Sequence, residues 1–284
     1  MTPTLVRHHA TRPGRKLRVD PWARARDWSE IQERMLVPLY EAVHERLEVG
    51  PGTRLLGLGC GSGLALLLAA KRGAAVTGVD TSPELLDLAR ERLLPRAAGT
   101  RARGGVRLVE GAVGDAGVAR GGPYTVVTAF DPFGWAAGDP ADLAGRLARA
   151  VPSARRGAPV VLAGWGPPER CATSSVLRVA AKLADPGREG AGWRPARRDD
   201  LEQAAQRAGL RPDGSGRVAC PFGYADLDSA LRGLLSTGAY DAAVAASDGA
   251  QVRKELTEAL HPYVRTDGTV WMPNVFRYLV ARIP

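Results

Sequence analysis

The feature that most constrains this chain is a run of alternating glycines, Gly57-Leu-Gly59-Cys-Gly61-Ser-Gly63, between a short apolar stretch and a longer one. Thr53–Leu58 reads as a strand, and Leu64–Arg72 as a helix that Gly73 stops. Ala74–Val79 reads as a second strand, with Asp80 where it ends. Strand, glycine turn, helix and strand form one βαβ unit, which requires parallel strands joined by a crossover helix. Glycines let a backbone approach a ligand closely, and the helix N-terminus behind them presents free N–H groups. An acid at the end of the second strand is placed to accept hydrogen bonds from both hydroxyls of a ribose.

The alternation continues. Thr81-Ser82-Pro83-Glu84 is a helix start, and that helix runs to about Leu94. Strands are expected at Val106–Glu110, Tyr124–Ala129 and Pro159–Gly164, with a helix over Pro140–Val151. This order predicts an α/β fold with helices on both faces of a parallel sheet. Beyond it, Cys171–Leu183, Asp199–Ala208, Asp226–Leu235 and Ala250–Leu260 look helical. Val218–Phe222 and Val275–Arg282 look like strands, the second one closing the sheet. Before the βαβ unit, Ser29 is a candidate cap for a helix through about Glu48, kinked or split by Pro38. No internal repeat is visible.

The net charge of +9 raises the question of nucleic acid. Only four of the 39 basic residues are lysine, a bias that fits a GC-rich genome better than a binding surface. More than half of the excess sits in residues 1–28, of which 1–20 read as a flexible basic arm. Behind that arm no apolar run suggests a signal peptide. The longest apolar stretch, near Leu64–Ala70, is far short of the ~20 residues of a membrane span. Cys60, Cys171 and Cys220 are too few and too scattered for a disulfide framework or a zinc site. The expectation is a cytoplasmic protein in a reducing compartment, with no membrane partner and no metal.

Three ligand readings compete for the glycine turn. A nicotinamide or flavin fingerprint needs Gly-x-Gly-x-x-Gly, and here the glycines lack that gap. A phosphate loop needs Gly-Lys-Ser/Thr, which does not occur. The third is an adenosylmethionine loop. Leu55-Leu-Gly-Leu-Gly-Cys-Gly-Ser-Gly63 closely resembles the first motif of class I S-adenosylmethionine-dependent methyltransferases of the small-molecule type. Val76-Thr-Gly-Val-Asp80-Thr-Ser-Pro-Glu-Leu-Leu resembles their second motif, and the likeness covers about residues 53–165. Arg198-Asp-Asp-Leu, Ala208-Gly-Leu and Phe276-Arg-Tyr-Leu-Val-Ala-Arg282 add weaker echoes.

The resemblance implies a Rossmann-like, doubly wound fold with a mostly parallel seven-stranded sheet and helical lids at the N-terminus and after strand five. It divides the chain into the arm at 1–20, a helical lid at 21–50 and the main domain at 51–284. Helical insertions fall at about 166–198 and 224–262 of that domain. It implies S-adenosylmethionine as cofactor, with S-adenosylhomocysteine as product. The implied cofactor residues are Gly57, Gly59, Cys60, Gly61, Gly63, Asp80, Thr81, Asp115, Ala116 and Phe130. Two departures stand out. Gly57 occupies a position where the family usually has an acid that orders the turn. Gly114-Asp115-Ala116 lies closer to strand four than the matching family motif does, and a solvated loop aspartate is the alternative for Asp115.

Methyl transfer from a sulfonium is an in-line displacement, so the protein chiefly aligns and desolvates. A base is needed only for a weak nucleophile; Asp131, His261 and Tyr224 are the candidates, with helix capping the alternative for His261. Trp28, Met35, Tyr40, Phe133, Trp135, Trp165, Phe222 and Tyr224 are candidates for a lid over an aromatic or apolar acceptor, with ordinary packing the alternative for each. Phe130-Asp-Pro-Phe133 partly resembles the Asp-Pro-Pro-aromatic motif of enzymes that methylate base amines, without the second proline. Three functions follow: a methyltransferase of small natural products, a nucleic-acid methyltransferase, or a cofactor-binding relative that transfers nothing, such as a cyclase-like or regulatory protein. The first is favoured, as a monomer or homodimer in a bacterium.

Overall fold

The computed structural model describes residues 20–94, 105–111, 123–130, 140–184 and 197–284. The βαβ unit forms as the glycines and apolar runs require. Helices α1 (Pro21–Asp27) and α2 (Val37–Arg46) come first, and strand β1 (Arg54–Leu58) then leads through the turn into helix α3 (Leu64–Lys71). Strand β2 (Ala75–Asp80) then pairs in parallel with β1. Helix α4 (Pro83–Leu93) starts where Ser82 accepts a hydrogen bond from the Leu85 N–H at 3.3 Å, with Pro83 in the first turn, where its missing N–H costs nothing.

The other strands are β3 (Val106–Glu110), β4 (Val126–Ala129), β5 (Pro159–Trp165), β6 (Arg211–Ala219) and β9 (Val275–Arg282). They form a seven-stranded sheet in the order β3-β2-β1-β4-β5-β9-β6, parallel except for β9, which runs antiparallel to both neighbours. The doubly wound α/β expectation is borne out. Residues of β5 and β9 alternate between two cores. Val161, Ala163, Trp165, Phe276, Tyr278 and Val280 join one, while Val160, Leu162, Leu279 and Ala281 join the other. Both faces are therefore covered, as a parallel sheet requires. Helices α5 (Pro140–Ala150) and α7 (Asp200–Arg207) cover the second face. Helices α6 (Thr173–Leu183), α8 (Leu227–Ser236), α9 (Asp241–Ala246) and α10 (Gly249–Leu260) build a layer beyond the first. No described helix is long and apolar enough to cross a membrane.

Two expectations need correction. Ser29 starts no helix: α1 begins at Pro21, capped by Asp20, whose Oδ1 accepts from the Trp22 N–H at 3.0 Å. The chain then winds without a break through a π turn (Trp28–Gln32) and a 3-10 turn (Glu33–Leu36) into α2, with Pro38 in the first turn of α2. The strand expected at 218–222 is two strands, because Pro221, which has no N–H, separates β6 from the short β7 (Phe222–Tyr224). A further strand, β8 (Val270–Met272), pairs with β7 in a two-stranded ribbon.

The sheet reverses its winding at β1, which has β2 on one side and β4 on the other. Open α/β sheets bind ligands in the crevice that this reversal leaves at the carboxyl ends of the strands. The glycine turn, Asp80 and Phe130 all stand there.

Candidate active site

The turn is tied down by its own backbone and by one acid. The Cys60 N–H donates to the Val79 carbonyl at 3.0 Å, and the Gly63 N–H to the Cys60 carbonyl at 3.0 Å. Asp80 Oδ2 accepts from the Gly61 N–H at 2.8 Å, and its Oδ1 accepts from the Ser82 N–H at 3.0 Å. A carboxylate offers about four acceptor positions, so each Asp80 oxygen keeps capacity for one further donor. Gly61 has φ +55°, and a β-carbon there would stand 3.1 Å from Trp28 Nε1. Gly63 has φ +79°, with Ala89 Cβ at 3.0 Å from where its own would lie. Both positions thus need glycine for conformation and for space.

A cavity of about 410 Å³ opens in front of the turn. Gly59, Gly61 and Asp80 form its floor, Phe130 one wall, and Trp28 and Thr237 part of its roof. The roof comes from two distant parts of the chain. Arg24 on α1 donates to the Ser236 carbonyl at 3.2 Å and to Asp241 Oδ2 at 2.8 Å. Arg232 on α8 pairs with Asp27, holding α1 and α8 together. Behind the turn, a void of about 20 Å³ lies among residues that include Tyr40, Gly57, Cys60, Thr128 and Phe130.

Of the cofactor residues expected from the sequence, Gly59, Gly61, Asp80 and Phe130 face the cavity, and Gly57 and Cys60 face the void. Gly63 packs on α4 instead, and Thr81 is exposed outside the lining, where Ser82, Glu84 and Leu85 take its place. Burial pushes the Cys60 thiol far up, so it is no nucleophile. Asp115, Ala116, Asp131, Phe133 and Trp135 lie outside the described residues.

The acceptor and base candidates divide. Trp28 lines the cavity, and Tyr40 packs its ring 5.1 Å from Phe130. Met35 packs against the core behind. Trp165 and Phe222 are core residues rather than lid residues, stacked with Phe276 at 4.5 and 6.0 Å. Tyr224 is corrected on both counts. Its hydroxyl is buried, donates to Gln32 Oε1 at 2.9 Å, and is held protonated by desolvation, so it neither lines the cavity nor serves as a base. His261 is exposed at the C-terminal end of α10, outside the cavity lining, in the place its capping alternative required.

Sequence reading missed a buried charged group under the turn. Glu33, 2% exposed, accepts from the Ser62 hydroxyl, from Arg92 Nη1 at 2.7 Å and from the Leu64 N–H at 3.4 Å. Arg92 also donates to the Ser62 carbonyl at 2.9 Å and to Ser29 Oγ at 2.8 Å. Burial raises the Glu33 carboxyl above its ordinary value, with the Arg92 guanidinium opposing the shift. The five residues are spread over positions 29 to 92, and no local pattern in the sequence joins them.

Residues 55–152 match the model of a methyltransferase domain family. The chain is 48% identical over 48 residues to magnesium-protoporphyrin O-methyltransferase of Rhodobacter capsulatus, which covers 17% of this chain and 21% of that protein. It is 38% identical over 66 residues to an uncharacterized Mycobacterium tuberculosis protein, 23% of this chain and 24% of that one. The chain thus spans less than a quarter of the curated relatives it matches. Among solved structures, YjhP of E. coli shares the fold with a TM-score of 0.52 at 20% identity, over 92% of this chain and 99% of that one. Geranyl diphosphate C-methyltransferase of Streptomyces coelicolor A3(2) does so with a TM-score of 0.50 at 17% identity, over 89% and 80%.

Proposed function

We propose, for a chain whose residues 55–152 match a methyltransferase domain family, that the whole protein transfers a methyl group from S-adenosylmethionine to a small-molecule acceptor. The observation that carries this reading is the Asp80 carboxylate. It ends β2, braces the Gly61 N–H, and keeps acceptor capacity facing a cavity of small-molecule size. A ribose diol fits that donor requirement, and the glycine floor leaves room for backbone contact. Relatives whose names specify an acceptor, a magnesium protoporphyrin in one and geranyl diphosphate in the other, support a small molecule.

When bound, S-adenosylmethionine supplies a sulfonium-borne methyl that a nucleophile displaces in line. The residues of this chain bind, align and exclude water. Asp80 orients the ribose. Phe130 and Trp28 cover the turn with apolar surface, and α1 with the end of α8 closes the cavity from above. Arg24, Asp80 and Glu84 are the ionisable groups among the described lining residues, and Arg24 and Asp80 are already engaged in holding structure. This composition favours an acceptor that is nucleophilic without a protein base, with Asp131 the remaining candidate.

Calorimetry with S-adenosylhomocysteine tests the reading. Wild type is expected to bind, and Asp80→Ala to bind at least about tenfold more weakly, since a charge-assisted bond is worth roughly 1.5–3 kcal/mol. Equal affinities in the two proteins would place the ribose elsewhere. A screen of acceptor pools with methyl-labelled cofactor then identifies the class of acceptor. Turnover on nucleic acid that collapses steeply with salt would instead favour the basic-arm alternative.

A further inference from the structure

We propose that Glu33 is the positioning residue of the glycine turn, and that docking of the N-terminal helical segment and ordering of the turn are therefore one event. The proposal rests on the cofactor reading above and adds the group that shapes its floor. The turn is held from both sides. Asp80 grips it from the β2 side through the Gly61 N–H. On the other side, β1 brings no carboxylate: Gly57 has no side chain, and a β-carbon there would stand 2.9 Å from Leu66 Cδ2. Glu33 reaches that side from outside the sheet, from the 3-10 turn between α1 and α2.

Its contacts are those of a brace. One carboxylate oxygen lies 3.4 Å from the Leu64 N–H, the first free amide of α3, where the helix dipole favours negative charge. It would also stand 3.3 Å from a β-carbon on Gly61, so it lies directly against the turn. The other oxygen takes the Ser62 hydroxyl and Arg92. Arg92 completes the tie, bonding Ser62 of the turn and Ser29 of the N-terminal segment with one guanidinium. Burying such a pair contributes little to stability compared with apolar packing. Holding the turn's backbone in place from the segment that also roofs the cavity accounts for its presence.

Two variants and one ligand test this. Glu33→Asp keeps the charge beside Arg92 and withdraws it by one methylene. It is expected to fold and to bind S-adenosylhomocysteine about tenfold more weakly in calorimetry. Glu33→Gln combined with Arg92→Met removes both charges, so no buried ion is left unpaired. Its melting temperature is expected to recover relative to Glu33→Gln alone, while affinity stays about tenfold or more below wild type. Recovery of affinity together with melting temperature would mean that the pair is merely structural and would overturn the proposal. So would wild-type affinity in Glu33→Asp. Trypsin reads the coupling: ligand is expected to slow cleavage at Arg24, Arg26 and Arg34 in wild type but not in the double variant. Equal cleavage of wild type with and without bound ligand would refute it. A wild-type protein that binds no S-adenosylhomocysteine would instead sink the cofactor reading itself.

Discussion

His44 makes the fold sensitive to acid in a calculable way. It lies on α2, 1% exposed, and neither ring nitrogen has a hydrogen-bond partner among the described residues. Its ring meets Phe130 edge-on at 6.2 Å. Burial, with the Arg72 charge adding to it, lowers its pKa from 6.5 to about 4. The unfolded chain takes up a proton below the higher value, and the folded protein does not until the lower one. Stability is therefore fully present above pH 6.5 and is lost as the pH falls toward about 4. At 1.36 kcal/mol per unit the whole gap is about 3 kcal/mol, of which about 2 kcal/mol goes between roughly pH 7 and pH 5. The perturbation is His44→Leu, which fills the site without a titrating group. Urea unfolding followed by tryptophan fluorescence measures both proteins at each pH, and carboxylates common to both cancel in the difference. The variant is expected to gain about 2 kcal/mol on wild type over that interval, whatever its stability at neutral pH. Curves that stay parallel from neutral to acid would refute the buried, unbonded imidazole.

Two further outcomes follow from contacts described above. Gly63→Ala combines a left-handed φ with a β-carbon 3.0 Å from Ala89 Cβ and 3.1 Å from Leu93 Cδ1. It is expected to destabilise by about 2–4 kcal/mol in urea titration, and an unchanged midpoint would mean that α4 yields freely. Tyr224→Phe leaves Gln32 Oε1 buried without its donor, a cost of about 1–3 kcal/mol. The pH profile of methyl transfer is expected to stay that of wild type, and loss of a basic limb would reinstate Tyr224 as a base.

The parts of this molecule legible in the sequence are those dictated by neighbours along the chain. Gly57 to Gly63, the apolar runs beside them, Asp80 and the Ser82-Pro83 cap each act within a few positions, and together they specify the βαβ unit. Polarity misled where tertiary contacts decide. Pro212, Asp213, Gly214 and Gly216 carry no strand signal, yet they sit in β6, an edge strand paired only with β9, where proline and glycine are tolerated. Ser29, Gln32 and Glu33 are polar, yet all three are buried, because the π and 3-10 turns rotate them toward partners far along the chain. Tyr224 resembled a site aromatic, and its burial in the core with its bond to Gln32 shows that it is a core residue.

The ties of the N-terminal segment also impose an order of assembly. Arg24 bonds Asp241 across 217 positions, Asp27 bonds Arg232 across 205, and Gln32 bonds Tyr224 across 192. On the ribosome this segment is made before every described strand of the sheet, but these three partners follow only after β6. Closing loops of that length lowers chain entropy before any contact compensates for it. The part of the roof that α1 supplies is thus made long before the residues that secure it. Until then the apolar side of α2, with Leu39, Tyr40 and Val43, has no finished core to enter.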